Sequence, residues 1–150
     1  MPHFESELLS IDLLGEWQDQ SDPDVSSFVN NATNEELTIS IGQFKQQLDA
    51  RQASETAWGL IQQKAAAMGQ VSGGNFTICD AVQPQPAIPY TASFSGYDKK
   101  NLVYVKVSIT AYPRHFFSAS YYLYKSVGPS AEAASRASAI VGSCRHKLAA

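Results

Sequence analysis

Serines, histidines, cysteines and carboxylates are the side chains that could do chemistry in this chain, and their spacing decides what chemistry is open to them. A nucleophilic centre needs a nucleophile, a base and a group that orients the base. Ser72-Gly73 and Ser95-Gly96 are the serine–glycine pairs that stand out, and neither lies in the GxSxG pattern of a nucleophile elbow. The glycine-rich run Val71 to Asn75 lacks the lysine and the following helix of a phosphate-binding loop. His3, His115 and His146 fall in a tail, a hairpin and a helix end, so none is expected to be catalytic. Cys79 and Cys144 have no CxxC partner and no histidine at metal-ligand spacing, which argues against zinc. Two cysteines are too few for a disulfide framework, and both are expected as reduced, slow-reacting core thiols. The sequence therefore predicts no catalytic residue, no cofactor site and no metal site, and a non-enzymatic protein.

The carboxylates carry a different signal. Residues 1–50 hold ten acidic side chains against Lys45 alone, and the remaining hundred hold ten basic and four acidic ones. Either the two halves offset each other within one sheet, or the acidic part is a face for a basic partner. On the second reading the partner-facing residues are Glu16, Asp19, Asp22, Asp24, Glu35 and Glu36. Nucleic acid is disfavoured, because phosphate binding wants clustered lysine and arginine. Aromatic residues supply a second candidate surface. Phe116, Phe117, Tyr121, Tyr122 and Tyr124 fall on both faces of one strand. They call for a sheet covered on both sides, or for an exposed patch with Tyr122 and Tyr124 as anchors.

The elements that must position these groups follow from periodicity. Leu102 to Lys125 reads as a long hairpin, with Val103, Val105, Val107, Ile109 and Ala111 on one face, Pro113-Arg114 at the turn and His115 to Tyr124 returning. Ser6 to Leu14 reads as a first strand ended by Gly15, with Trp17 plugging an edge of the core. Val25 to Asn30 and Glu35 to Phe44 read as a hairpin around Asn31–Asn34. An amphipathic helix is predicted from a Ser54 cap to Gly69, with Trp58, Ile61, Ala65 and Met68 against the sheet. Asn75 to Val82 and Tyr90 to Tyr97 read as strands around a proline loop, Pro84 to Pro89. A last helix capped by Ser130 is predicted to run to Leu148, with Arg145, His146 and Lys147 in its final turn. The order β-β-β-α-β-β-β-β-α argues an α+β fold with a mainly antiparallel sheet and two main helices, in one domain over residues 1–150.

Composition sets the class. Of 150 residues 44% are hydrophobic and 17% charged, which is globular, and no apolar run approaches the ~20 residues that span a bilayer. Met1 to Glu7 has no basic n-region, so a cytoplasmic location is expected and no membrane partner; a homodimer stays open.

Trp17-Gln18-Asp19-Gln20-Ser21, followed by a strand pair carrying Leu37 to Ser40, a helix, a strand meander and a last helix, resembles the PsbP-like α/β/α sandwich. Within that group the layout is similar to small bacterial proteins linked to type VI secretion. Their effector-associated chaperones carry a Trp-x-Asp-x-Ser segment, and immunity proteins occur on α+β scaffolds of this size. The chaperones usually have an arginine in the strand after that segment, whereas Leu37 to Phe44 has none. The aromatic strand and the long last helix depart from the chaperone pattern too. The resemblance thus implies, first, an immunity protein that binds and neutralises a cognate toxin. Second comes a chaperone that holds a hydrophobic effector segment, and third an unrecognised enzyme or ligand-binding domain.

Overall fold

Alternation of apolar and polar residues builds a central sheet, and helix caps decide where the covering layers begin. The computed structural model describes residues 3–5, 9–13, 15–23, 25–84 and 90–146. In chain order the elements are β1 (His3–Glu5), β2 (Leu9–Asp12), β3 (Gln18–Asp19), β4 (Ser26–Asn30), β5 (Glu35–Gln43) and α1 (Ala50–Val71). They continue with β6 (Phe76–Val82), β7 (Tyr90–Asp98), β8 (Val103–Ala111), β9 (His115–Leu123), α2 (Ala131–Gly142) and β10 (Cys144–His146). Seven strands form one sheet in the order β3-β4-β5-β9-β8-β7-β6, and β1-β2-β10 form a small second sheet. All pairings among the described residues are antiparallel. The protein is α+β, with an antiparallel sheet and two helices.

Register assigns every side chain to a layer, because directly opposed residues in an antiparallel pair share a face. Val105 opposes Tyr122 and Tyr122 opposes Glu36, so these three point to one side. Leu37 opposes Tyr121 and Phe28, and these point to the other. The first face is covered by α1. Ala53, Ala57 and Ile61 pack there on Ala92, Phe94, Val105, Val107 and Ile109. The second is closed by α2 and the small sheet: Ala133, Ala137, Ile140, Cys144, Ile11, Leu13 and Trp17 pack on Phe28, Leu37, Ile39, Tyr104, Phe117 and Tyr121. The sheet is thus covered on both sides, which houses the aromatic residues of β9 without one large exposed patch. Glycine permits two close approaches. A Cβ on Gly42 would lie 2.3 Å from the Phe116 ring, and one on Gly96 would lie 2.2 Å from the Phe76 ring.

Several expectations are corrected. The first strand is not one run from Ser6 to Leu14; β1 and β2 pair as a hairpin, and Ser6 and Leu14 lie outside the described residues. Helix α1 starts at Ala50, because Asp49 and Gln52 form a reciprocal capping box that outcompetes Ser54 as the cap. It also runs past Gly69 to Val71. Ile61 is buried as expected, and Trp58, Ala65 and Met68 are half-buried against the same cluster. Ser130 caps α2, its Oγ accepting from the Ala133 N–H at 3.1 Å. That helix stops at Gly142, however, and residues 144–146 turn into β10 and pair with β2. Arg145 and His146 are therefore not helix-end cations; Lys147, Leu148 and most of the proline loop fall outside the described residues. Cys144 is buried but Cys79 is exposed, because β6 is an edge strand with a bulge between Ile78 and Asp80.

Candidate functional site

The candidate partner-binding residues that the structure describes separate into three environments. Glu16, Asp19 and Asp22 are exposed, between β2 and β4. The Asp19 carboxylate accepts from the Ser21 N–H at 2.9 Å, and Asp22 accepts from the Val25 N–H at 2.8 Å. Both hold local turns as well as carrying charge. Asp24 lies outside the described residues. The Trp17 to Ser21 segment has a structural use throughout. Trp17 is buried, Gln18 and Asp19 make the edge strand, and Ser21 Oγ accepts from the Ser27 N–H at 3.0 Å.

Glu35 corrects the expectation of a partner-facing acid, for its side chain is 0% exposed. It opens the strand whose alternate residues Leu37, Ile39 and Ile41 face α2, so it is carried inward with them. There it accepts hydrogen bonds from the Tyr121 hydroxyl at 2.5 Å, from the Thr33 hydroxyl at 2.5 Å and from the Arg136 guanidinium through both Nε and Nη2. Burial alone would raise the Glu35 pKa, but Arg136, Thr33 and Tyr121 together hold it below the ordinary glutamate value. Burial, and then the bond to Glu35, push the Tyr121 phenol far above its ordinary range. Four interlocked groups with their bonding used on one another make a fold-locking cluster, not a reactive one.

Glu36, Tyr122 and Tyr124 come together on the opposite face. The Tyr124 hydroxyl donates to Glu36 at 2.6 Å, and the rings of Tyr122 and Tyr124 stack with centroids 6.2 Å apart. Tyr122 is half-buried, with its pKa raised by burial, while Tyr124 stays 39% exposed. These two rings form one wall of a groove of about 430 Å³ beside the last turns of α1. Met68 and Val71 form the helix wall, Phe76, Val103 and Val105 the floor, and Lys64 and Asn101 polar points at the rim. Val71 is 85% exposed. Asp98 shapes one end. Its carboxylate accepts from the backbone N–H groups of Lys100 and Asn101 at 3.0 Å and from Asn101 Nδ2 at 2.8 Å. Burial opposes its ionisation, but these bonds prevail and lower its pKa.

Of the groove residues, Tyr122 and Tyr124 alone stand out from the sequence as partner-facing, while Met68, Val103 and Val105 read there as sheet and helix faces turned to the core. The groove's signal was present: Lys64, Met68 and Val71 continue the three- and four-residue spacing of the α1 stripe. Ending the helix at Gly69 hid Val71. Elsewhere, His115 is buried in its hairpin and stacks on Tyr112 with centroids 4.9 Å apart, and burial lowers its pKa. Among the described residues no group of three or more histidine, cysteine or carboxylate side chains could hold a metal ion. Among them also, no helix is long and apolar enough to cross a membrane.

No protein-family model matches the chain. No curated protein matches it either. A crystal structure from Bacteroides thetaiotaomicron VPI-5482, at 1.50 Å resolution, is similar with a TM-score of 0.52 and 13% sequence identity. The match covers 93% of this chain and 45% of that one, so this chain spans less than half of that structure's length. Likeness at such low identity speaks to the fold alone.

Proposed function

We propose that this chain is a protein-binding module, and that the groove beside the C-terminal turns of α1 seats an apolar helical segment of a partner protein. This is the role of a chaperone that holds a hydrophobic effector segment. The observation that carries the reading is the groove where the covering layer on the α1 face ends, beside Tyr122, Tyr124 and Glu36. The helix contacts β6, β7 and β8, while β9 and β5 continue the sheet beyond it with Tyr122, Tyr124 and Glu36 uppermost. Helices pack on one another at about 8–10 Å, and strands lie about 4.8 Å apart. A second helix alongside α1 therefore sits over β9 and β5, against Met68 and Val71. A methionine at the wall adapts to different side chains, and stacked tyrosines give rigid contact area with a polar tip.

The toxin-neutralising reading keeps one supporting observation, the exposed carboxylates Glu16, Asp19 and Asp22 near the β3 edge. Charge there speeds encounter with a basic partner but adds less to final affinity than buried aromatic anchors.

Titration calorimetry with an amphipathic, leucine-rich helical peptide separates the two. The groove reading expects binding with a negative heat-capacity change. It expects Val71→Asp or Met68→Asp to abolish that binding, while charge reversal at Glu16, Asp19 and Asp22 leaves it unchanged at low and high salt. Failure of the peptide to bind sinks the groove reading. Neutralisation of a toxin that is lost on those charge reversals and survives Val71→Asp establishes the immunity role instead.

A further inference from the structure

Glu35 and Glu36 each accept from a tyrosine hydroxyl, but only Glu35 has a cation. It receives both Nε and Nη2 of Arg136, which α2 brings down from its own covering layer. Glu36 faces the other way. Its Oε1 accepts from the Tyr124 hydroxyl at 2.6 Å, and among the described residues no basic group pairs with it. Register explains the lack. Across the strands Glu36 is flanked by Val29 on β4 and Tyr122 on β9, and Thr38 follows on the same face of its own strand. None of these can neutralise a carboxylate. Lys64, a basic residue lining the groove, stands on α1 at the opposite wall. The half-buried Glu36 thus lies against two stacked phenol rings with no counter-charge.

From this asymmetry we infer that the helix seated in the groove supplies an arginine to Glu36, as α2 supplies Arg136 to Glu35. The inference rests on the groove being a helix seat, and adds the chemistry by which that seat selects its occupant. A helix beside α1 lies over β9 and β5, and therefore over Glu36. A wholly apolar helix there would bury the carboxylate unpaired, which costs affinity. An amphipathic helix with a basic side chain bordering its apolar stripe removes that cost. Arginine suits the place better than lysine. Its planar guanidinium can donate to the open carboxylate oxygen and lie on a tyrosine face at once. Lys64 repels the same side chain at the α1 wall, which favours the β5 side for it. Burial, and then the bond to Glu36, raise the Tyr124 pKa, so at neutral pH its hydroxyl stays protonated and holds Glu36 in position.

Calorimetry on the intact chain tests this with two helical peptides that share one leucine stripe. They differ only in carrying arginine or glutamine beside the stripe. The arginine peptide should bind about tenfold tighter, with the gap narrowing as salt rises. Glu36→Gln should bring the two within about twofold through loss of affinity for the arginine peptide, with circular dichroism unchanged. Glu36→Lys should reverse the preference, toward a third peptide with glutamate in place of the arginine. A merely structural Glu36 would not give that reversal. Equal binding of the arginine and glutamine peptides overturns the inference and leaves the helix seat standing. Binding of neither overturns both. An arginine preference that survives Glu36→Gln also overturns it, as does a groove filled by a second copy of the chain, seen as a dimer that the peptides do not dissociate.

Discussion

Two carboxylate–tyrosine pairs sit back to back across the sheet, Glu35 with Tyr121 on the α2 side and Glu36 with Tyr124 on the α1 side. Their chemistry is the same and their first members are consecutive residues. The two-residue period of a strand sends them to opposite faces, and what covers each face decides what the pair becomes. Under α2 and the small sheet, Glu35 meets Arg136 and becomes a closed structural lock. Beside α1, where the covering layer runs out, the Glu36 pair is left at the rim of a groove. Residue type alone therefore says little about use; the missing or present third layer says more.

The comparison breaks most visibly in stability. Tyr121→Ala, at a fully buried ring that also holds Glu35, should cost about 3–5 kcal/mol, whereas Tyr124→Ala should cost about 1 kcal/mol or less in urea unfolding. Equal losses would erase the distinction between lock and rim. Arg136→Ala comes next. It strands a buried carboxylate, but the arginine side chain is 37% exposed and water screens part of the pair, so about 3 kcal/mol is expected. Ile61→Ala, on the buried face of α1, should cost about 2 kcal/mol or somewhat more, toward the low end of the range for a buried isoleucine. A loss of a few tenths would remove α1 from the core.

Acid sharpens the same contrast. Glu35 titrates lower in the folded chain than its ordinary 4.5, so its contribution to stability is complete above that pH and is lost as pH falls below it through the folded value. Unfolding free energy measured from neutral pH down to pH 3 should decline over that window, and Glu35→Gln should flatten the decline. Smallest in stability, yet clear in mass spectrometry, is the difference between the thiols. Alkylation of the native chain should label Cys79 and spare Cys144, with both labelled after denaturation. Burial and the neighbouring Asp80 raise the Cys79 pKa, so its labelling should be slow at neutral pH and faster in mild base.

Strands β5, β7 and β8 were legible because each alternates over nine residues, and β4 and β9 because turn residues bound them and β9 is rich in aromatic residues. Glu35 was legible too: its place two residues before Leu37 puts it on the buried face, and only its charge argued otherwise. Asp49-x-x-Gln52 is a readable capping box, obscured because the first buried helical residue, Ala53, comes four positions after Asp49. Other features left no local trace. Cys144 continues the α2 spacing as well as it pairs with Ile11, and three residues are too few to show alternation. The groove depends on where α1 ends relative to β9, and that is a tertiary distance.

The small sheet joins the beginning of the described chain to its end, with Cys144 against Ile11 and Arg145 against Ser10. During synthesis the β1–β2 hairpin therefore emerges without the strand that completes its sheet. At about 5–20 residues per second, it waits on the order of ten seconds for β10 to be made, and longer for that strand to clear the ribosome. Through that interval Ile11 and Leu13, both 0% exposed in the finished fold, have no α2 to cover them. The small sheet thus closes only after the seven strands and the helix between β2 and α2 have been made, and its hairpin carries uncovered apolar side chains until then.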